Sequence, residues 1–220
     1  MNVLFDLDGT LHDKVASLHR CGQTLFDMFL ADSNIDHTHF VTAFVPENSI
    51  IQPKTKVFDK LGETFALSSK VTVAMGQRFD DTFHEFAQRF AFALEALDLL
   101  QRQGVRIGCV TNGRDFFQRN KIKALELEPY FDVIVTSGAM DVKKPDPKLF
   151  YHALAALQAS AADTVFIGDS LTADMQPAKA LGMTTVWKTD GTVEQPSYVD
   201  HCLQTFANFP VLWARIRGTV

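Results

Sequence analysis

Residues 1–13 read MNVLFDLDGTLHD, a short apolar run that ends in two aspartates one residue apart. Val3, Leu4 and Phe5 are too few and too β-prone for a helix, and they predict a buried strand. Asp6 and Asp8 arrive where that strand must stop, with Gly9 marking a turn. Strand side chains alternate between faces, so carboxylates at i and i+2 share a face wherever strand geometry persists. Two like charges that close are costly unless a cation or a proton lies between them. The pair calls for a positive partner.

From about Lys14 to Gln88 the text changes character. Stretches such as LHRCGQTLFDMFLADS and DDTFHEFAQRFAFALEALDLL carry helical periodicity, with almost no alternating strand pattern. Phe26, Phe29, Phe40, Phe44, Phe58, Phe65, Phe79, Phe83 and Phe86 lie here, at spacings that predict the core of a helical bundle. Asp32 to Asn34 and Pro46 to Asn48 predict turns, and Ser68 with Ser69 a helix cap. From Leu94 onward helices and strands alternate. A helix near Leu94–Gln103 precedes the strand VRIGCV, and a charged helix near Asp115–Leu125 precedes FDVIVT. The helix PKLFYHALAALQ precedes TVFIG, and a helix near Thr172–Leu181 precedes MTTVW. A further short strand is expected near Tyr198 and a last helix near Ala207–Ile216. This rhythm predicts βαβ units with right-handed crossovers and a parallel sheet covered on both faces. The opening strand must join that sheet, so residues 14–88 form an all-helical insertion into a core made of 1–13 and 89–220.

Composition limits the function classes. The chain has 220 residues, 46% hydrophobic and 21% charged, enough for a substantial core. A net charge of -5 argues against a nucleic-acid binder, which needs a basic surface for phosphates. Cys21, Cys109 and Cys202 have neither zinc spacing nor a disulfide framework, which predicts reduced thiols. With no secretory signal pattern and no apolar run of the ~18 residues a membrane span needs, the expectation is a soluble, cytoplasmic protein.

Parallel sheets bind ligands at the carboxyl ends of their strands. Four strands here end in chemistry: Asp6 and Asp8 after the first, Thr111 and Asn112 after the second, Lys144 a loop beyond the third, Asp169 and Asp174 after the fourth. Asp6, Asp169 and Asp174 make a hard-oxygen set suited to Mg²⁺. The Thr111 hydroxyl and the amides around Asn112 and Gly113 suit a phosphoryl oxygen. Lys144 adds a charge that offsets both the phosphate and the acids. Taken singly, DLD is a solvated turn, TNG a turn signal, KKPDP an exposed loop and GDSLTAD a helix start capped by Asp169 or Ser170. Their joint order at four strand ends is what points to one site.

The order DLDGT, TN, KP and GDSLTAD resembles the haloacid dehalogenase superfamily of phosphohydrolases, and the resemblance covers nearly the whole chain. It implies a Rossmann-like α/β core with a four-helix cap inserted after the first motif. By this resemblance Asp6 is a nucleophile that becomes an aspartyl-phosphate, and Asp8 is the general acid and base, with its pKa raised by its environment. Thr111, Asn112 and Lys144 bind phosphate. Asp6, the main-chain carbonyl of Asp8 and Asp169 hold Mg²⁺, with Asp174 and Ser170 in support. The implied reaction is hydrolysis of a small phosphomonoester, a sugar phosphate or nucleoside monophosphate, by a monomer or homodimer with no nucleic-acid or membrane partner. A phosphomutase using a cap group such as His19 or Lys54, and a catalytically silent binding protein, are the alternatives on this scaffold. The loop before the lysine departs from the resemblance: SGAMDVKKP places Gly138 and Asp141 where SExxGxxKP is usual, which bears on the loop and leaves the catalytic groups untouched.

Overall fold

The apolar run after Met1 forms a fully buried strand, β1 (Asn2–Phe5). The computed structural model describes residues 1–50 and 52–219. These separate into two units, Met1–His12 with Arg89–Val220, and Asp13–Gln88. No helix among the described residues is long and apolar enough to cross a membrane.

The second unit holds four helices, α1 (Lys14–Phe29), α2 (His37–Ser49), α3 (Lys54–Phe65) and α4 (Ser69–Thr82), followed by a 3₁₀ turn at Phe83–Phe86. Asp13, Asp36 and Ser68 start three of them, each side chain accepting a hydrogen bond from a first-turn amide. The phenylalanines do meet inside. Ring contacts run from Phe26 to Phe40, Phe44, Phe58, Phe79 and Phe83, with centroids 4.8–6.2 Å apart, so one aromatic series passes through all four helices. Pro46 departs from expectation, since it lies inside α2 and no turn forms there. It falls in the last stretch of the helix, where Asn48 and Ser49 donate side-chain hydrogen bonds back to the carbonyls of Phe44 and Val45. The two ends of the unit are tied together: the Asp13 amide donates to the Gln88 carbonyl, and the Gln88 amide to the Ser17 hydroxyl.

The first unit continues through α5 (Ala93–Arg102), β2 (Arg106–Thr111), α6 (Asp115–Ala124), β3 (Val133–Thr136), the short α7 (Ser137–Met140), α8 (Pro147–Ala156), β4 (Thr164–Gly168), α9 (Gln176–Ala180), β5 (Thr184–Lys188), β6 (His201–Leu203) and α10 (Phe209–Ile216). All six strands pair in parallel, in the order β3-β2-β1-β4-β5-β6. β1 lies between β2 and β4, where strand order reverses, and this opens a crevice at its carboxyl end. Leu4, Val110 and Phe166 pack with Leu149, Phe150 and Ala153 of α8 on one face of the sheet.

Two elements differ from the sequence reading. The last strand falls at His201–Leu203, just past Tyr198. The helix expected over Thr172–Leu181 is divided into a π turn at Leu171–Met175 and α9, because Pro177 lacks the amide that a continuous α-helix would use there. All three cysteines are free thiols.

Candidate active site

The crevice is built from β1 outward. Asp6 follows β1 directly, its amide donating to Ile167 of β4, and its side chain is buried. Gly9 turns the chain back with φ +89°, and a Cβ there would lie 2.2 Å from Asp169 Oδ2. Only glycine permits both that backbone and that approach. Asp169 follows β4, and its carbonyl accepts a 2.8 Å hydrogen bond from Trp187 Nε1.

Lys144 supplies the positive partner that the aspartates demand. Its Nζ donates to Asp6 Oδ1 at 2.6 Å, Asp174 Oδ1 at 2.7 Å and the Val110 carbonyl at 2.8 Å. All three ammonium protons are therefore held by the protein. Lys144 thus offsets the acidic cluster, one of the two tasks that the sequence assigns to it. Burial opposes its charge, but Asp174 and Asp6 outweigh burial and raise its pKa. One ammonium does not balance the cluster. Burial pushes the Asp6 carboxyl up to about 8 against the pull of Lys144, with Asp174 and Asp169 adding to the rise. Asp169 rises to about 6 by the same burial and by Asp174, although its tip reaches solvent. Carboxylate oxygens of Asp6, Asp169 and Asp174 lie within 4.8 Å of one another. Three hard donors short of positive charge fit Mg²⁺. Ser170 caps the following turn through Ala173 and lends its amide to Asp174 Oδ2.

Asp8 has different company. Lys121 Nζ of α6 lies 2.5 and 2.6 Å from its two oxygens. His12 Nδ1 is 2.6 Å from Oδ1, and Gln118 Nε2 donates to Oδ2 at 3.3 Å. The neighbours of Asp8 are thus a buried ammonium, an imidazole and an amide. Thr111 ends β2, where its Oγ1 accepts from Gln118 Nε2 at 2.5 Å. The Asn112 side chain pairs with the backbone of Lys144. Its Nδ2 donates to the Lys144 carbonyl and its Oδ1 accepts from the Lys144 amide, at 3.1 and 2.8 Å. The Gly113 amide is likewise engaged, by Ser137 Oγ at 2.9 Å.

The structure thus brings Asp6, Asp8, Thr111, Asn112, Lys144, Asp169, Asp174 and Ser170 to one sheet edge. Sequence reasoning missed Lys121, Gln118 and His12. The signal available was slight: Gln118 and Lys121 are three apart on a helix whose other charges, such as Arg119, are exposed.

A profile for "Haloacid dehalogenase-like hydrolase" matches residues 3–188. Among curated relatives, a glyceraldehyde 3-phosphate phosphatase from Pyrococcus abyssi is 32% identical over 193 residues, covering 84% of this chain and 79% of that protein. A phosphoglycolate phosphatase from Nitrosospira multiformis is 28% identical over 182 residues, covering 82% and 79%. A putative HAD hydrolase from Bacillus subtilis, solved bound to magnesium, shares the fold with a TM-score of 0.79 at 21% identity, covering 96% of this chain and 97% of that one. With its fold, its four strand-end motifs and a match over most of its length, this chain belongs to the haloacid dehalogenase-like hydrolase family.

Proposed function

We propose that the chain is a Mg²⁺-dependent phosphatase that hydrolyses a small phosphomonoester through an aspartyl-phosphate on Asp6. The observation that carries this reading is the separation of the two aspartates. Asp6 is set in an acidic cluster beside Lys144, while Asp8, two residues on, is held in its own polar cradle. This difference in surroundings supports assigning attack to one carboxylate and proton transfer to the other. Relatives that act on small phosphorylated metabolites support the substrate class.

In the first step an Asp6 oxygen attacks phosphorus, the bond from phosphorus to the leaving oxygen breaks, and Asp8 delivers a proton to that oxygen. In the second, Asp8 takes a proton from water as the water attacks the phosphorus of the acyl phosphate, freeing phosphate and Asp6. Thr111 accepts from Gln118, which leaves its own O–H to donate to a phosphoryl oxygen. Lys144 keeps charge near Asp6 throughout. Mg²⁺ held by Asp6, Asp169 and the Asp8 carbonyl would keep Asp6 ionised and offset phosphoryl charge. The helical unit is assigned the cap role, shielding the reaction from water and choosing the leaving group.

The test is phosphate release from sugar phosphates, phosphorylated acids and nucleoside monophosphates, with Mg²⁺ or EDTA. Turnover should require Mg²⁺, fall when Ca²⁺ replaces it, and drop by at least about 10⁴-fold in Asp6→Asn with the fold intact. Undiminished turnover in EDTA or in that variant would overturn the reading.

A further inference from the structure

We propose that Gln118 and Lys121 are positioning residues that fix the Asp8 carboxylate for both proton transfers, an inference that rests on the phosphatase reading. The two lie three residues apart on α6 and so share one helix face. Each is 1% exposed. A buried ammonium is costly without a carboxylate, and a buried amide without hydrogen bonds, so this face of α6 is built for what it touches. Lys121 Nζ sits astride both Asp8 oxygens, which fixes the plane of the carboxylate where a contact to one oxygen would leave it free to turn. Gln118 Nε2 faces three acceptors at once: Thr111 Oγ1 at 2.5 Å, the Asn112 carbonyl at 3.2 Å and Asp8 Oδ2 at 3.3 Å. One amide thus joins the loop after β1 to the end of β2. Gly113 makes room for it: with φ +151°, a Cβ there would lie 2.8 Å from Gln118 Cδ and 2.9 Å from its Cγ. His12 Nδ1 completes the cradle from the opposite end of the same loop.

A mere staple between α6 and β1 would affect every step alike. A positioning device affects only the steps that use Asp8. p-Nitrophenyl phosphate separates the two, because its phenolate leaves without a proton while hydrolysis of the aspartyl-phosphate still needs Asp8 as base. In rapid-mixing experiments with Mg²⁺, Lys121→Met should release one nitrophenolate per enzyme in a fast burst. Steady turnover should then run about 10²-fold below wild type, with KM falling in step so that kcat/KM stays within about threefold, because binding and the first transfer are left intact. Gln118→Leu removes no buried charge, so it makes the same measurement without the folding risk of the lysine variant; a burst with turnover lowered about tenfold is expected from loss of one transition-state hydrogen bond. Lys121→Ala should regain turnover with added butylammonium but not with butanol, which fills the space without the charge. Burst and turnover falling together in a folded variant, or turnover within threefold of wild type, would overturn the proposal. Absence of Mg²⁺-dependent release by the wild-type protein would overturn the phosphatase reading along with it.

Discussion

Asp6 and Asp8 are two residues apart, yet the two sides of the crevice treat them in opposite ways. On the β4 side two of three clustered carboxylates, Asp6 and Asp174, share the Lys144 ammonium, and burial drives the Asp6 carboxyl up to about 8. On the α6 side the Asp8 carboxylate meets Lys121, His12 and Gln118. The first side is short of positive charge; the second is supplied with it by the chain. Chemically identical side chains are given different surroundings by the elements behind them: β4 and its π turn for one, a single helix face for the other.

The largest test of this contrast is Lys144→Met. Removing the shared ammonium strands buried carboxylates and should destabilise the protein by about 3–5 kcal/mol in urea titrations at pH 8 with EDTA. A loss below 1 kcal/mol would mean that the acidic side does not depend on it. The next test is pH. Asp6 and Asp169 have folded pKa values near 8 and 6, above the ordinary 3.8. At these two groups the folded protein holds protons that the unfolded chain has already lost, so their contribution to stability falls as pH rises from about 4 to 8, against an opposite one from His201, whose pKa burial lowers. Lys144, raised from 10.5, contributes evenly across that window. Thermal melts in EDTA should show a Tm that declines from pH 5 to 8, and excess Mg²⁺ should raise Tm more at pH 8 than at pH 5; an equal Mg²⁺ effect at both would break the contrast. A smaller effect is expected from Asn112→Ala, which leaves the Lys144 peptide without two partners and should cost about 1–2 kcal/mol by chemical denaturation. The smallest belongs to Arg119→Ala. It removes an exposed pair with Asp115 on the same helix as Lys121 and should change stability by no more than about 0.5 kcal/mol.

How far the sequence could be read follows the same division. β1 through β5 were legible because buried parallel strands are continuous apolar runs closed by turn residues, and the acidic side of the site was legible because its residues sit at those strand ends. The α6 side was not. Lys121 lies in QRNKIKAL, where neighbouring charges are solvated, and only three dimensions distinguish it from Arg119 and Lys123. His12 was hidden in a turn, its partner four residues back. β6 was misplaced by a few residues because its three residues, His201 to Leu203, carry little alternation. The side-chain role of Asn112 was not legible either: its amide pairs with the backbone of Lys144, 32 positions away, which a TN pair after a strand does not announce.

That reciprocal pairing of the Asn112 amide with the Lys144 peptide has an evolutionary consequence. It clips the residue before Pro145 directly to the end of β2, so the lysine's position is insulated from the stretch between them. Residues 139–143 can then drift, while Gly138 is held to glycine by the Asp115 amide, from which a Cβ would lie 2.6 Å; Asp141, for one, closes α7 in a left-handed conformation at φ 52°. A loop can diverge in wording while the ammonium it leads to stays in register, which makes this segment a place where the enzyme's surface can change without retuning its chemistry.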